Sequence, residues 1–255
     1  MNSIQELKKV GSLSIVNPLV LETLEKLVDK KQKTARMSFE SDLQQMYSAV
    51  TLKSVQEAEV IVRNLLDFGR SIELILDSYF PTVAERLGAE WVSDDLTFSE
   101  VTLALANLQL LSSKLEPLYL SSHDPIKKRG GNILIVVPKG EDHTFGAISV
   151  ARKLRAIGAH TILAMNYQEY ELENLLMKKT FDLIGISSGN NFMTGEINKL
   201  STFFKTRNGK TTPVVLGGNL VHTYKKTNES LKVDLISDNP EYALDQFNIN
   251  NIKSH

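Results

Sequence analysis

The sequence predicts an α/β protein in two parts, a helical bundle followed by a parallel sheet with helices on both faces. Three observations predict it. Apolar residues recur at helical spacing up to about residue 125, and beyond that point short β-branched runs alternate with helical segments. Between the two patterns lies Ser121–Gly131 (SSHDPIKKRGG), whose proline, three basic residues and two glycines read as a linker. The expected domains are therefore residues 1–125 and 126–255. Lys127, Lys128 and Arg129 read as a solvated hinge.

In the first part, Ser54 with Glu57 and Thr97 with Glu100 fit the capping box, in which hydroxyl and carboxylate satisfy each other's free backbone N–H groups at a helix start. From Thr97, the residues Val101, Leu105, Leu108, Leu111 and Leu115 form one apolar stripe, so a long helix is expected with Pro117 near its end. Pro81 interrupts the apolar stretch SIELILDSYF, which predicts two helices or one kinked helix between Ser71 and Trp91. Four or five helices are expected before the linker, with the first 35 residues an extension.

In the second part the candidate strands are Ile133–Val137, Thr161–Met165, Leu183–Ser187, Pro213–Leu216 and Val233–Ile236. Their continuous apolar character suits strands buried on both faces by crossover helices. Five such strands make a small, flavodoxin-like (Rossmann-type) parallel sheet, if the usual right-handed crossovers hold. Ligands of such sheets bind beyond the carboxyl ends of the strands, which singles out the loops after Val137, Ser187 and Leu216.

Composition limits the function classes. The 29 basic and 30 acidic residues leave a net charge of −1, so no field of one sign recruits nucleic acid or an anionic membrane. No apolar run approaches a bilayer span and the N-terminus lacks a secretory layout, so a cytoplasmic location is expected. Cysteine is absent, which removes disulfides, thiolate catalysis and Cys-ligated metal centres. A metal ligand must be His, Asp, Glu or Met.

The loop after the first strand, PKGEDHTFG, carries Glu141, Asp142 and His143 and then Gly146. The loop after the third carries Ser187, Ser188 and Gly189, and Gly217–Gly218 follows the fourth. The motif Glu141-x-His143-x-x-Gly146 precedes Ser187 by 40 intervening residues, and 27 separate Gly189 from Gly217. In order and spacing this resembles the corrinoid-binding domains of methionine synthase, the mutases and cobalamin-dependent regulators. The resemblance implies that His143 takes the lower axial position on cobalt, that Ser187 hydrogen-bonds the displaced nucleotide tail, and that the glycines admit that tail. Neutral imidazole suits a borderline metal such as cobalt, and a neighbouring acid orients its second nitrogen. Two residues depart from the methyltransferase pattern. Glu141 stands where Asp is usual, and Gly189 where Leu is usual.

The segment Ser71–Gln109 resembles the helical cap of cobalamin-dependent regulators, in which a tryptophan covers the upper corrin face. Trp91 is the matching residue, and its other reading is a core anchor. Val101 and Thr102 stand where light-sensing DNA-binding regulators have a Glu-His pair. Trp91–Thr102 together with EDHTFGA is similar to the PpaA/AerR antirepressors, which lack a DNA-binding domain and act on a separate PpsR-type repressor. The resemblance implies a non-enzymatic cobalamin sensor, with light as one possible signal and adenosylcobalamin or hydroxocobalamin as the bound form. The alternatives are a corrinoid carrier subunit of a methyltransferase system, and a heme or bilin sensor on the same scaffold. His123, His160, His222 and His255 have no matching partners and are expected to be surface or structural.

Overall fold

The computed structural model describes residues 38–51, 54–123, 130–189, 193–207, 212–218, 221 and 231–249. The first 35 residues, the basic cluster Lys127–Arg129, His222 and His255 lie outside them.

The helical part opens with α1 (residues 38–51) and α2 (Val55–Asp67). A short α3 (Ile72–Leu74) runs through a π-helical turn (Ile75–Tyr79) into α4 (Phe80–Val92), and α5 (Phe98–Ser122) is the long helix. Both expected capping boxes form, at Ser54 with Glu57 and at Thr97 with Glu100. Pro81 does not break the chain into two helices. The Phe80 N–H donates to Ile75 O, five residues back, so the widened turn takes up the misfit ahead of the proline and the helix continues. α5 likewise runs through Pro117 for five more residues. Leu76, Tyr79, Phe80, Leu87, Leu108 and Leu111 are among the residues that close the helical core.

The sheet part contains β1 (Asn132–Val136), α6 (Phe145–Ala156), β2 (His160–Ala164), α7 (Glu169–Lys178), β3 (Leu183–Ser187), α8 (Thr194–Arg207), β4 (Val214–Gly217), β5 (Leu235–Ile236) and α9 (Pro240–Gln246). All pairings are parallel, in the order β2-β1-β3-β4-β5, as the sequence predicts. The strands stand within a residue of their expected bounds except β5. There Asp234 spends its side chain on the Val214 N–H (2.8 Å), and the ladder starts one residue later.

Alternate strand residues serve two cores. Leu134, Val136, Ile184, Ile186 and Leu216 pack under α7 and α8, while Ile133, Ile135, Leu183 and Val215 face α6 and α9. Burial on both faces is the reason these strands show no polar alternation. α6 also belongs to the helical part, because Phe145 and Ala156 pack on its core. No helix among the described residues is long and apolar enough to cross a membrane.

Candidate functional site

The strand order reverses between β1 and β3, so their following loops diverge and leave a crevice at the carboxyl edge of the sheet. After β1 the chain turns at Pro138–Glu141, with the Glu141 N–H donating to Pro138 O and Gly140 at φ +78°. A positive φ at the third residue of a turn is what glycine supplies without strain. The turn drops Glu141 into the protein and leaves His143 on the rim.

Glu141 is buried, and both its oxygens are used. Oε1 accepts from the His143 backbone N–H (2.8 Å) and from its Nδ1 (2.6 Å). Oε2 accepts from the Ser188 hydroxyl and the Gly189 N–H (2.8 Å). Burial alone would raise the Glu141 carboxyl, but the bonds from Ser188, the His143 backbone and ring, and Gly189 hold it below its ordinary value. An ionised carboxylate only accepts, so Nδ1 donates to it and Nε2 is the nitrogen left for an outside partner. The His143 side chain is 65% exposed, against 0% for Glu141. His143 therefore presents Nε2 outward from an anchored ring.

This sets a pH dependence. A carboxylate whose folded pKa is depressed contributes stability that is full above its unfolded value, about 4.3 for Glu, and is lost as pH falls through the lower folded value. Glu141→Gln should therefore destabilise the protein at neutral pH. It should also flatten the loss of stability expected of the wild type below about pH 4.3, as read by urea unfolding across pH. An unchanged acid limb would mean that Glu141 does not hold the two loops together.

Both glycine loops are shaped by close approach. A Cβ on Gly189 would stand 2.9 Å from His143 Cγ, so the imidazole lies against bare backbone where a leucine would block it. The residue that departs from the methyltransferase pattern thus suits the histidine position here. Gly218, at φ +93°, brings its Cα so close to the next loop that a Cβ would meet Ser188 O at 2.4 Å. Gly217 pairs with Ser187 across β3–β4, and its carbonyl accepts from the Ser188 N–H.

Ser187 and Ser188 divide the work. Ser188 binds Glu141, whereas Ser187 lies with Gly217 and Gly218 along an apolar slot that runs between the sheet and α9. Ile135, Leu154, Val215 and Leu244 wall the slot, and Ser237 and Asn239 stand at it after β5. The last two were not picked out from the sequence, although Asn-Pro before a helix is a readable cap, and Asn239 does accept from the Tyr242 N–H.

The remaining expected residues are less closely engaged. Asp142 is exposed, and its carbonyl accepts from the Thr144 N–H. Gly146 stands exposed in the first turn of α6, with open space where a Cβ would be. Trp91 is 50% exposed at the end of α4, beside the 70% exposed Phe98 (ring centroids 6.4 Å apart), so it is not a core anchor. Gln109 on α5 donates to the Thr144 hydroxyl (3.0 Å), a contact from the helical part to the His143 loop that no sequence signal marks. His160 is exposed, and His123 bonds Tyr119 O (2.8 Å), in keeping with surface and structural roles.

Comparison with known proteins agrees with this architecture. No protein-family model matches the chain. It is 27% identical over 178 residues to the uncharacterized 20.5 kDa protein in the bchF-crtJ intergenic region of Rhodobacter capsulatus, covering 70% of this chain and 92% of that protein. The chain is a homologue of that protein. The relationship accords with the resemblance to the PpaA/AerR type. Among solved structures, the monomethylamine corrinoid protein of Methanosarcina barkeri superposes with a TM-score of 0.64 at 13% identity, over 81% of this chain and 97% of that one. That solved structure shares the helices-then-sheet fold.

Proposed function

We propose that the chain binds a corrinoid through Nε2 of His143, with the nucleotide tail in the slot beside Ser187, Gly217 and Gly218. The bound corrinoid sets the chain's contact with a PpsR-like repressor, so the chain works as a sensor and not as an enzyme. The observation that carries this reading is one imidazole, locked by a buried carboxylate at the switch point, beside an apolar slot. Among the described residues no group of three or more His, Asp or Glu converges. A metal held through His143 alone must bring its other ligands with it, as a metallated macrocycle does. Cobalt in a corrin fits the donor, since neutral imidazole suits borderline metals.

Gly146 adds support. A glycine costs up to about 1 kcal/mol relative to alanine in a helix, most in its interior, and no neighbour among the described residues demands one at 146. A ligand lying flat over the start of α6 would. Trp91 and Phe98, apolar and exposed at the end of the cap, would cover the upper face of that ligand. The relative, named for its place in a bchF-crtJ intergenic region, accords with the resemblance to the PpaA/AerR type on which the regulatory reading rests. The name of the corrinoid protein supports the ligand and also favours a second reading, a carrier subunit that passes methyl groups between methyltransferases.

One experiment separates the two roles. The chain, loaded in the dark with adenosylcobalamin or with hydroxocobalamin, is used to pull down a PpsR-like repressor, with a promoter fragment tested in parallel at physiological salt. The two loaded forms should differ in repressor affinity by about tenfold, a coupling of ordinary size. Trp91→Ala should erase the difference, and the chain alone should not shift DNA. Equal capture by both forms, with efficient methyl transfer from the methylated corrinoid, would move the chain to the carrier class.

A further inference from the structure

A buried arginine joins the two parts of the molecule. Arg152, on α6, is 1% exposed and reaches away from the sheet into the helical part. Its Nη1 donates to Ser112 Oγ on α5 (2.9 Å), and its Nη2 donates to Leu76 O (3.0 Å), Asp77 Oδ1 (2.9 Å) and Ser149 Oγ (3.2 Å). The guanidinium also lies 4.9 Å from the centre of the Tyr119 ring, whose hydroxyl donates to the other oxygen of Asp77 (2.8 Å). These bonds, all made by the two Nη groups, offset the cost of desolvating the cation, while Nε is buried with no hydrogen-bond partner among the described residues.

The Leu76 carbonyl is available because a π-helical turn and a proline together remove its helical donors. In an α-helix it would accept from Phe80, but the π-helical turn gives that N–H to Ile75 O. In the π register its donor would be residue 81, and Pro81 has no N–H. The proline thus leaves an acceptor facing the seam, and the arginine of the other part fills it.

The same helix starts at the candidate site. Phe145, two residues after His143, opens α6 and packs on the helical core, and Thr144 accepts from Gln109 of α5. One rigid element therefore runs from the outward imidazole to the guanidinium.

We infer that Arg152 is a positioning residue that locks the helical cap in one orientation over the His143 face, through Leu76 O, Asp77 and Ser112. Only the ligand readout below rests on the proposed corrinoid function.

The chain has no cysteine, so Leu110→Cys on α5 and Tyr170→Cys on α7, both exposed, accept spin labels without background. Pulsed electron resonance on the full chain should give one narrow distance distribution with Arg152 in place. R152M keeps the bulk and removes the charge and donors, and it should broaden that distribution. R152K, which keeps a point charge, should broaden it less and serves if R152M does not fold. In the same variants adenosylcobalamin affinity should fall about tenfold while the bound form keeps its histidine-ligated spectrum. A role in stability alone would not move the label distances. An equally narrow distribution in both variants overturns the inference. If the unsubstituted chain takes up no corrinoid, the proposed function fails, and the label distances still decide the role of Arg152.

Discussion

His143→Ala should leave a folded protein that retains cobalamin about a hundredfold more weakly and lacks the histidine-ligated spectrum. The factor follows from the site's construction, since altering even the groups behind a metal ligand costs 10- to 100-fold in affinity. His143 is the ligand itself, and no other described histidine faces the crevice. Loss of fold is not expected. The side chain is 65% exposed and makes its one anchoring bond to Glu141, which keeps Ser188 and Gly189 as partners after the substitution. Equilibrium titration with hydroxocobalamin, paired with circular dichroism, checks both halves. Undiminished affinity in a folded variant would remove His143 from the ligand role.

Gly218→Ala should be the most damaging single methyl group in the sheet part, lowering stability by about 3 kcal/mol or more. Two costs combine. At φ +93° an L-residue is strained wherever it sits, and here the Cβ would also meet Ser188 O at 2.4 Å and Ser188 C at 3.0 Å. Both obstructing atoms are backbone, so no side chain can swing aside. The Ser188 loop must move, and with it the hydroxyl that binds Glu141. Corrinoid retention should fall together with stability. Gly146→Ala is the contrast, because its Cβ would enter open space on a helix. Urea unfolding should show that variant as stable as the wild type or about 1 kcal/mol more so, while corrinoid binding weakens. If Gly218→Ala unfolds like the wild type, the close approach of the two loops is not part of the fold in solution.

Much of this architecture was legible because it is written in local chemistry. Ser54 with Glu57 and Thr97 with Glu100 announce helix starts through hydrogen bonds that close within four residues. The strands announce themselves through β-branched runs buried on both faces. His143, Ser187 and the glycine pair were legible because an edge-binding site repeats its spacing wherever the sheet repeats. What the sequence concealed depends on distant partners. Ser187 and Ser188 carry the same side chain, and only the end of the β3 pleat decides that the second one meets Glu141. Gly189 read as a departure from a pattern until the imidazole lying against it gave a reason. Arg152 is one basic residue on an amphipathic helix, a type that is usually solvated, and its cross-domain partners at Leu76, Asp77 and Ser112 lie 40 to 76 residues away in sequence. Pro81 read as a break or a kink, because nothing local reveals that the neighbouring turn widens or that a guanidinium donates to the stranded carbonyl.

The central claim is a bond between cobalt and Nε2 of His143, and one measurement addresses that bond directly. The protein is produced with nitrogen-15 in its histidines only, loaded with cobalamin of natural isotope content, and reduced to the cobalt(II) form for electron paramagnetic resonance. The unpaired electron lies along the axial direction, so the nuclear spin of the axial nitrogen splits each cobalt line. Ligation by His143 predicts doublets from the nitrogen-15 nucleus, reverting to triplets when the histidines carry nitrogen-14. Triplets in the labelled protein would mean that the cofactor's own benzimidazole is still on the metal, and would contradict the account.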